Sequence, residues 1–207
     1  MTNSARYAIP GARHRAEVVI DRSRFLCTVG EAMSSDDAQV FVRAVNAEFP
    51  DATHHCWAYV IGAPGSTDRV GLSDDGEPHG TAGRPMLTVL LHSGVGDIVA
   101  VVTRWYGGTK LGTGGLVKAY SGAVQQTLRE MPRTMRITYA FLDVRVSYAS
   151  VSALQLLWPL HEVEVLGDEY GADVRFSLRY PIAADALLRQ SIRDVTRGQA
   201  TFADTRD

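Results

Sequence analysis

The residues best suited to chemistry lie in one run, WYGGTKLGTGGLVKAY, from Trp105 to Tyr120. It holds five glycines, three aromatics and both lysines of the chain, Lys110 and Lys118. A glycine-rich turn that feeds a helix presents free backbone N–H groups to an anion. Gly112, Gly114 and Gly115 allow close approach of a phosphate. Lys110 and Lys118 add charge, Arg104 precedes the turn, and Trp105 and Tyr106 offer faces for stacking. The spacing matches neither common nucleotide motif. Lys110 stands before the later glycines, unlike a Walker loop, and Gly112-Thr113-Gly114 is followed three residues on by Val117, unlike a dinucleotide turn. Glycines also serve positive-φ turns and tight packing. The loop alone leaves both readings open.

A second run, SDDGEPHGTAGRP, gathers Asp74, Asp75, Glu77 and His79 within six residues. Oxygen ligands and paired carboxylates suit a hard cation or proton transfer. The same residues suit a structured turn, because Asp-Gly and Glu-Pro are turn dipeptides and acids favour helix starts. The spacing matches no metal motif, so neither a metal nor a cofactor is expected. A His55–Cys56 nucleophile pair fails on geometry: adjacent strand residues point to opposite faces. No nucleophile elbow occurs.

The surrounding elements must hold these two loops. AEVVID and RFLCTVG read as strands around a turn at Arg22-Ser23. Ser34 caps a helix with Asp36 and Asp37 in its first turn, and Pro50 ends it. HHCWAYVIG is strand-like. The segment 70–94 is turn-rich at first, then helical from a Thr81 cap to Gly94, although its short apolar run Met86–Leu91 also suits a strand. DIVAVVTRW reads as a buried strand that delivers the glycine loop. Leu116, Tyr120, Ala123, Val124, Thr127 and Leu128 then form the inner stripe of a helix ended by Pro132. Beyond Arg136 the order is βαββαβ, the split ferredoxin-like arrangement. Domains are expected over 1–134 and 135–207, with the tails, Met1–Gly11 and Thr205–Asp207, as loose arms.

The composition is that of an ordinary globular chain: 207 residues, 45 % apolar and 21 % charged. A formal net charge of −2 argues against a surface uniformly coated for nucleic acid. Local excess remains. RYAIPGARHRAEVVIDRSR carries five arginines against two acids. No apolar run is long enough to span a membrane, and no membrane partner is expected. Cys27 and Cys56 read as reduced core thiols of a cytoplasmic protein.

Three blocks taken together, THHCWAYVIG, SDDGEPHGTAGRPML and VVTRWYGGTKLGTGGLVKAYSGAV, closely resemble the IMPACT family. The likeness covers about residues 15–130. The remainder resembles the small carboxy-terminal domain of unknown function in bacterial members. The resemblance implies an α/β (α+β) fold of two domains, each a two-layer sheet-plus-helices sandwich. The first is expected as a four-stranded sheet with helices on one side, similar to domain IV of elongation factor G. The second is expected as ferredoxin-like, similar to domain V. It also implies a link to translation and no established enzyme activity. Members often carry Asn at the position of His55 and a small residue at that of His79, which weakens a catalytic role for either. Three functions stay open: a non-enzymatic binder of RNA or the ribosome using Arg84, Arg104, Lys110, Lys118 and the loop amides; a protein-interaction adaptor; or an enzyme on a phosphorylated small molecule using the acidic loop.

Overall fold

The computed structural model describes residues 5–204, so the tail positions 1–4 and 205–207 lie outside the described residues. The chain divides into two compact units between Arg136 and Ile137, two residues past the position read from the sequence.

The first unit opens with β1 (Arg6–Pro10), β2 (His14–Ile20) and β3 (Ser23–Glu31). The β2–β3 hairpin turns at Asp21-Arg22, both at positive φ, which suits the right-handed twist of paired strands. The expected turn at Arg22-Ser23 is therefore displaced by one residue. Then come α1 (Ser35–Glu48), β4 (His54–Val60), β5 (Val70–Ser73), α2 (Gly83–Leu91), β6 (Ile98–Trp105), α3 (Gly112–Glu130) and β7 (Arg133–Ile137). Ser34 Oγ accepts the Asp37 N–H at 3.0 Å, the cap its position implied.

Five strands form one antiparallel sheet in the order β2-β3-β6-β4-β5. Strand β6 is central and almost wholly buried. Its even residues, Ile98, Ala100 and Val102, join Phe25, Cys27, Cys56 and the inner stripe of α3 in the larger core. Its odd residues, Val99 and Val101, pack with Ala38, Val42 and Val45 of α1. Helices therefore cover both faces: α1 lies on one, α2 and α3 on the other. The expected two-layer, four-stranded form is corrected to three layers and five strands. The cause is legible in β6, which is apolar at every position from Ile98 to Val102 and so must be covered on both sides.

The amino-terminal arm is also ordered from Arg6 on. Strand β1 pairs with β7 in a separate two-stranded sheet, and the Gly11 N–H donates to Pro132 O at 2.8 Å. Tyr7 Oη donates to Asp97 Oδ2 at 2.7 Å. Burial and this carboxylate push the Tyr7 hydroxyl up to about 12.

The second unit runs β8 (Tyr139–Val146), α4 (Val151–Leu157), β9 (Glu164–Tyr170), β10 (Val174–Pro181), α5 (Asp185–Val195) and β11 (Thr201–Asp204). The four strands are ordered β11-β8-β10-β9, every pair antiparallel. This is the βαββαβ arrangement. Its core is built from Leu142, Val144, Phe176, Leu178, Leu188 and Ile192. Leu142 is fully buried, and Leu142→Ala is expected to destabilise this unit by about 2–5 kcal/mol. Urea unfolding followed by the near-ultraviolet signal of Trp158, which packs edge-on against Phe176, checks it.

Candidate functional site

The glycine loop is built from both ends. Period-two alternation along β6 turns Arg104 inward, in line with Ala100 and Val102, beneath α2 and α3. It turns Trp105 to the other face. One helical turn past Leu116, Tyr120 enters the same core from α3 and is fully buried. Between them sits Glu77 of the acidic run, itself buried. Its Oε1 accepts from Arg104 Nη1 at 2.5 Å and from the Tyr120 hydroxyl at 2.7 Å. One carboxylate oxygen thus joins the strand before the glycine loop to the helix after it.

The hub extends further. Cys56 Sγ lies 3.3 Å from the Tyr120 hydroxyl and 2.9 Å from Asp74 O. Arg104 sits between the rings of Phe25 and Tyr106, 5.2 and 5.7 Å from their centres. Its Nη2 approaches Ser23 Oγ at 3.5 Å, and that hydroxyl also accepts the Gly107 N–H at 3.1 Å. Burial pushes the Cys56 thiol and the Tyr120 phenol far above their ordinary ranges. Neither ionises near neutral pH, so neither is an activated nucleophile or base. Cys27, also free, is raised to about 12 by burial.

The rest of the acidic loop is likewise engaged. Asp74 Oδ2 accepts the Gly80 N–H at 2.7 Å, and Oδ1 accepts those of Ala82 and Gly83 at 3.1 and 2.8 Å. This is the cap of α2, and it replaces the expected Thr81 cap. Thr81 Oγ1 donates instead to Pro78 O. Burial works to raise the Asp74 carboxyl, but the three backbone N–H groups outweigh it and hold the group below the usual range. Asp75 Oδ2 accepts the His55 N–H at 2.6 Å. His79 is exposed, 3.7 Å from Asp74 Oδ2. The carboxylates proposed for metal or proton transfer are turned to backbone amides and to Arg104. The described residues contain no cluster of three metal-ligating side chains.

The candidate anion-binding residues separate into two sets. Arg104 is removed from the surface set, because it is buried and paired with Glu77. Trp105 is only partly available: its Nε1 donates to Asp51 Oδ2 at 2.9 Å, and the Arg24 guanidinium lies 4.6 Å from its ring. Tyr106, Lys110, Gly112, Gly114 and Lys118 are exposed, with Gly115 partly so, and Arg84 is exposed on the first turn of α2. Neither lysine makes an ion pair among the described residues. The start of α3 has no side-chain cap and no acid in its first turn, whereas α1 and α2 both begin on oxygen acceptors. Gly112 adopts φ +69°, and a Cβ on Gly107 would lie 2.0 Å from the Arg22 carbonyl carbon. Arg22 Nη2 reaches Thr109 Oγ1 at 3.1 Å, a cation beside the loop that the motif did not include.

Periodicity alone gives Tyr120 and Cys56 a packing role and does not show that they meet at Glu77 and Asp74. A tyrosine in a buried stripe needs an acceptor for its hydroxyl, and that requirement was the available signal for Glu77's role. Glu77→Gln is expected to cost about 3–5 kcal/mol, since it leaves Arg104 buried without its counter-charge. Tyr120→Phe is expected to cost about 1–3 kcal/mol, with both read from urea midpoints. For Asp74 the folded carboxyl is depressed, so its stabilisation is present at neutral pH and is lost as pH falls below about 4. Asp74→Asn is expected to lower stability at pH 7 and to flatten that acid limb, measured by denaturation across pH.

The chain is similar to several known proteins. The profile of the Impact N-terminal domain matches residues 21–128. "IMPACT family member YigZ" of Escherichia coli (strain K12) is 40 % identical over 192 residues, 93 % of this chain and 94 % of its own length. "IMPACT family member in pol 5'region" of Thermus thermophilus is 35 % identical over 182 residues, 87 % of this chain and 97 % of its own. A crystal structure titled only as a hypothetical protein is 38 % identical, covers 98 % of both chains and superposes with a TM-score of 0.66.

Proposed function

The chain belongs to the IMPACT family, and from that premise we propose that it is a non-enzymatic RNA-binding protein, acting on ribosomal or ribosome-associated RNA, whose phosphate site is the open start of α3. The observation that carries this reading is the uncapped, acid-free amino terminus of α3 with two unpaired lysines beside it. Gly112 and Gly114 in its first turn are exposed. Lys110 and Lys118, both exposed, supply point charges, and Arg22 reaches Thr109 of the loop. Tyr106, about half exposed, presents a ring on which a base stacks.

The low net charge is compatible with a local site, because Lys110 and Lys118 make no ion pair among the described residues. The enzyme reading loses support because Asp74, Asp75 and Glu77 are engaged by backbone amides, Arg104 and Tyr120. The adaptor reading has no specific observation in its favour.

Fluorescence anisotropy with a labelled single-stranded RNA tests the proposal. Affinity is expected to fall steeply between about 50 and about 200 mM salt. Lys110→Ala with Lys118→Ala is expected to weaken binding by at least about tenfold and to reduce the salt slope by about 1.4. A salt-independent affinity, or a double variant that binds like the parent, defeats the reading.

A further inference from the structure

At the far end of α3, about 25 Å from Gly112 along the helix, the first unit holds a second cationic feature. A cavity of about 270 Å³ opens between the ends of α2 and α3. Val89 and Leu128 give it an apolar lining, which we take as its floor, and His92, Ser93, Gln125, Arg129 and Arg133 give it a polar wall. No Asp or Glu lines it. Glu130, beside it in sequence, faces His14 at 3.9 Å.

The polar wall keeps unused donors. Arg129 makes no hydrogen bond or ion pair among the described residues. Arg133 uses only Nη2, which donates to Leu128 O at 3.2 Å. His92 Nδ1 donates to Thr88 O at 2.8 Å, which leaves Nε2 free. A helix end ordinarily favours cations, so two arginines here have a structural use. That use is largely met without Arg129: Met131 N–H donates to Thr127 O and Arg133 takes Leu128 O. At α2, Leu90 O accepts from the Ser93 N–H and hydroxyl.

We propose that this cavity is a binding site for a small phosphomonoester with an apolar body. The phosphate lies against Arg129 and Arg133, and the body covers Val89 and Leu128. The unengaged fork of Arg129 and the remaining N–H groups of Arg133 match the three oxygens of a phosphate better than the two of a carboxylate. The apolar floor selects an organic ester over inorganic phosphate. The site is independent of the RNA reading, since it shares no residue with the glycine loop.

Phenyl phosphate, inorganic phosphate and benzoate are titrated separately into the full-length isotope-labelled chain while backbone amide shifts are followed. Phenyl phosphate is expected to saturate shifts around His92, Gln125 and Arg129. It should bind at least about tenfold more tightly than either other probe, since only it engages floor and wall together. Arg129→Gln is expected to weaken phenyl phosphate by about tenfold or more, with an unchanged far-ultraviolet spectrum, while Lys110→Ala leaves it unaltered. Benzoate binding as tightly as phenyl phosphate overturns the phosphate assignment. Equal titration of parent and Arg129→Gln overturns the site. If no probe shifts these amides and the arginine variants only lower the melting temperature, the arginines serve the helix ends and the proposal fails.

Discussion

A buried carboxylate organises the first unit. Glu77 is taken out of water, and that transfer is tolerable only because a guanidinium and a phenol meet the same oxygen. Those partners lie sixteen residues apart: Arg104 stands near the end of the central strand and Tyr120 belongs to the long helix. The glycine loop is the segment between them. Its two ends are fixed from beneath, and along its path Thr109 meets Arg22 and Leu111 packs on the core. Its residues at 108, 112 and 114 remain bare toward solvent.

The same economy of acids shapes the surface. Asp74 satisfies the start of α2 and Asp75 fastens the start of β4. Asp97, buried, accepts from Tyr7 and from the Gly62 N–H and forms an ion pair with Arg136. Negative charge in this unit is used where backbone amides or arginines need it. The lysines are left outside without counter-ions among the described residues, so a chain of net charge −2 still presents a positive edge. Position of charge, more than its sum, governs what such a surface attracts.

Patterns confined to one element were readable in advance. The stripe of α3 is buried at each residue named from its period, from Leu116 to Leu128. The Ser34 cap and the βαββαβ order follow from local signals. So does the separation of His55 from Cys56, since Cys56 enters the larger core and the His55 N–H is held by Asp75. What escaped was long-range. Arg104 looked like a surface cation because its charge outweighed its parity with Ala100 and Val102. Strand β5 is only four residues long and contains Gly71, so it read as turn. Strand β1 has no partner until β7 arrives, more than a hundred residues later. The Asp74 cap comes from eight and nine residues upstream of the amides it serves, beyond any local capping pattern.

That distant cap makes one helix depend on a neighbouring strand pair. Helix α2 contains Gly83 and Pro85 in its first turn and no acid there, so its own residues provide a poor nucleus. Its beginning is supplied by the segment that follows β5. The start of the helix therefore depends on the β4–β5 pair, since the segment that leaves β5 carries Asp74 to the amides of Gly80, Ala82 and Gly83.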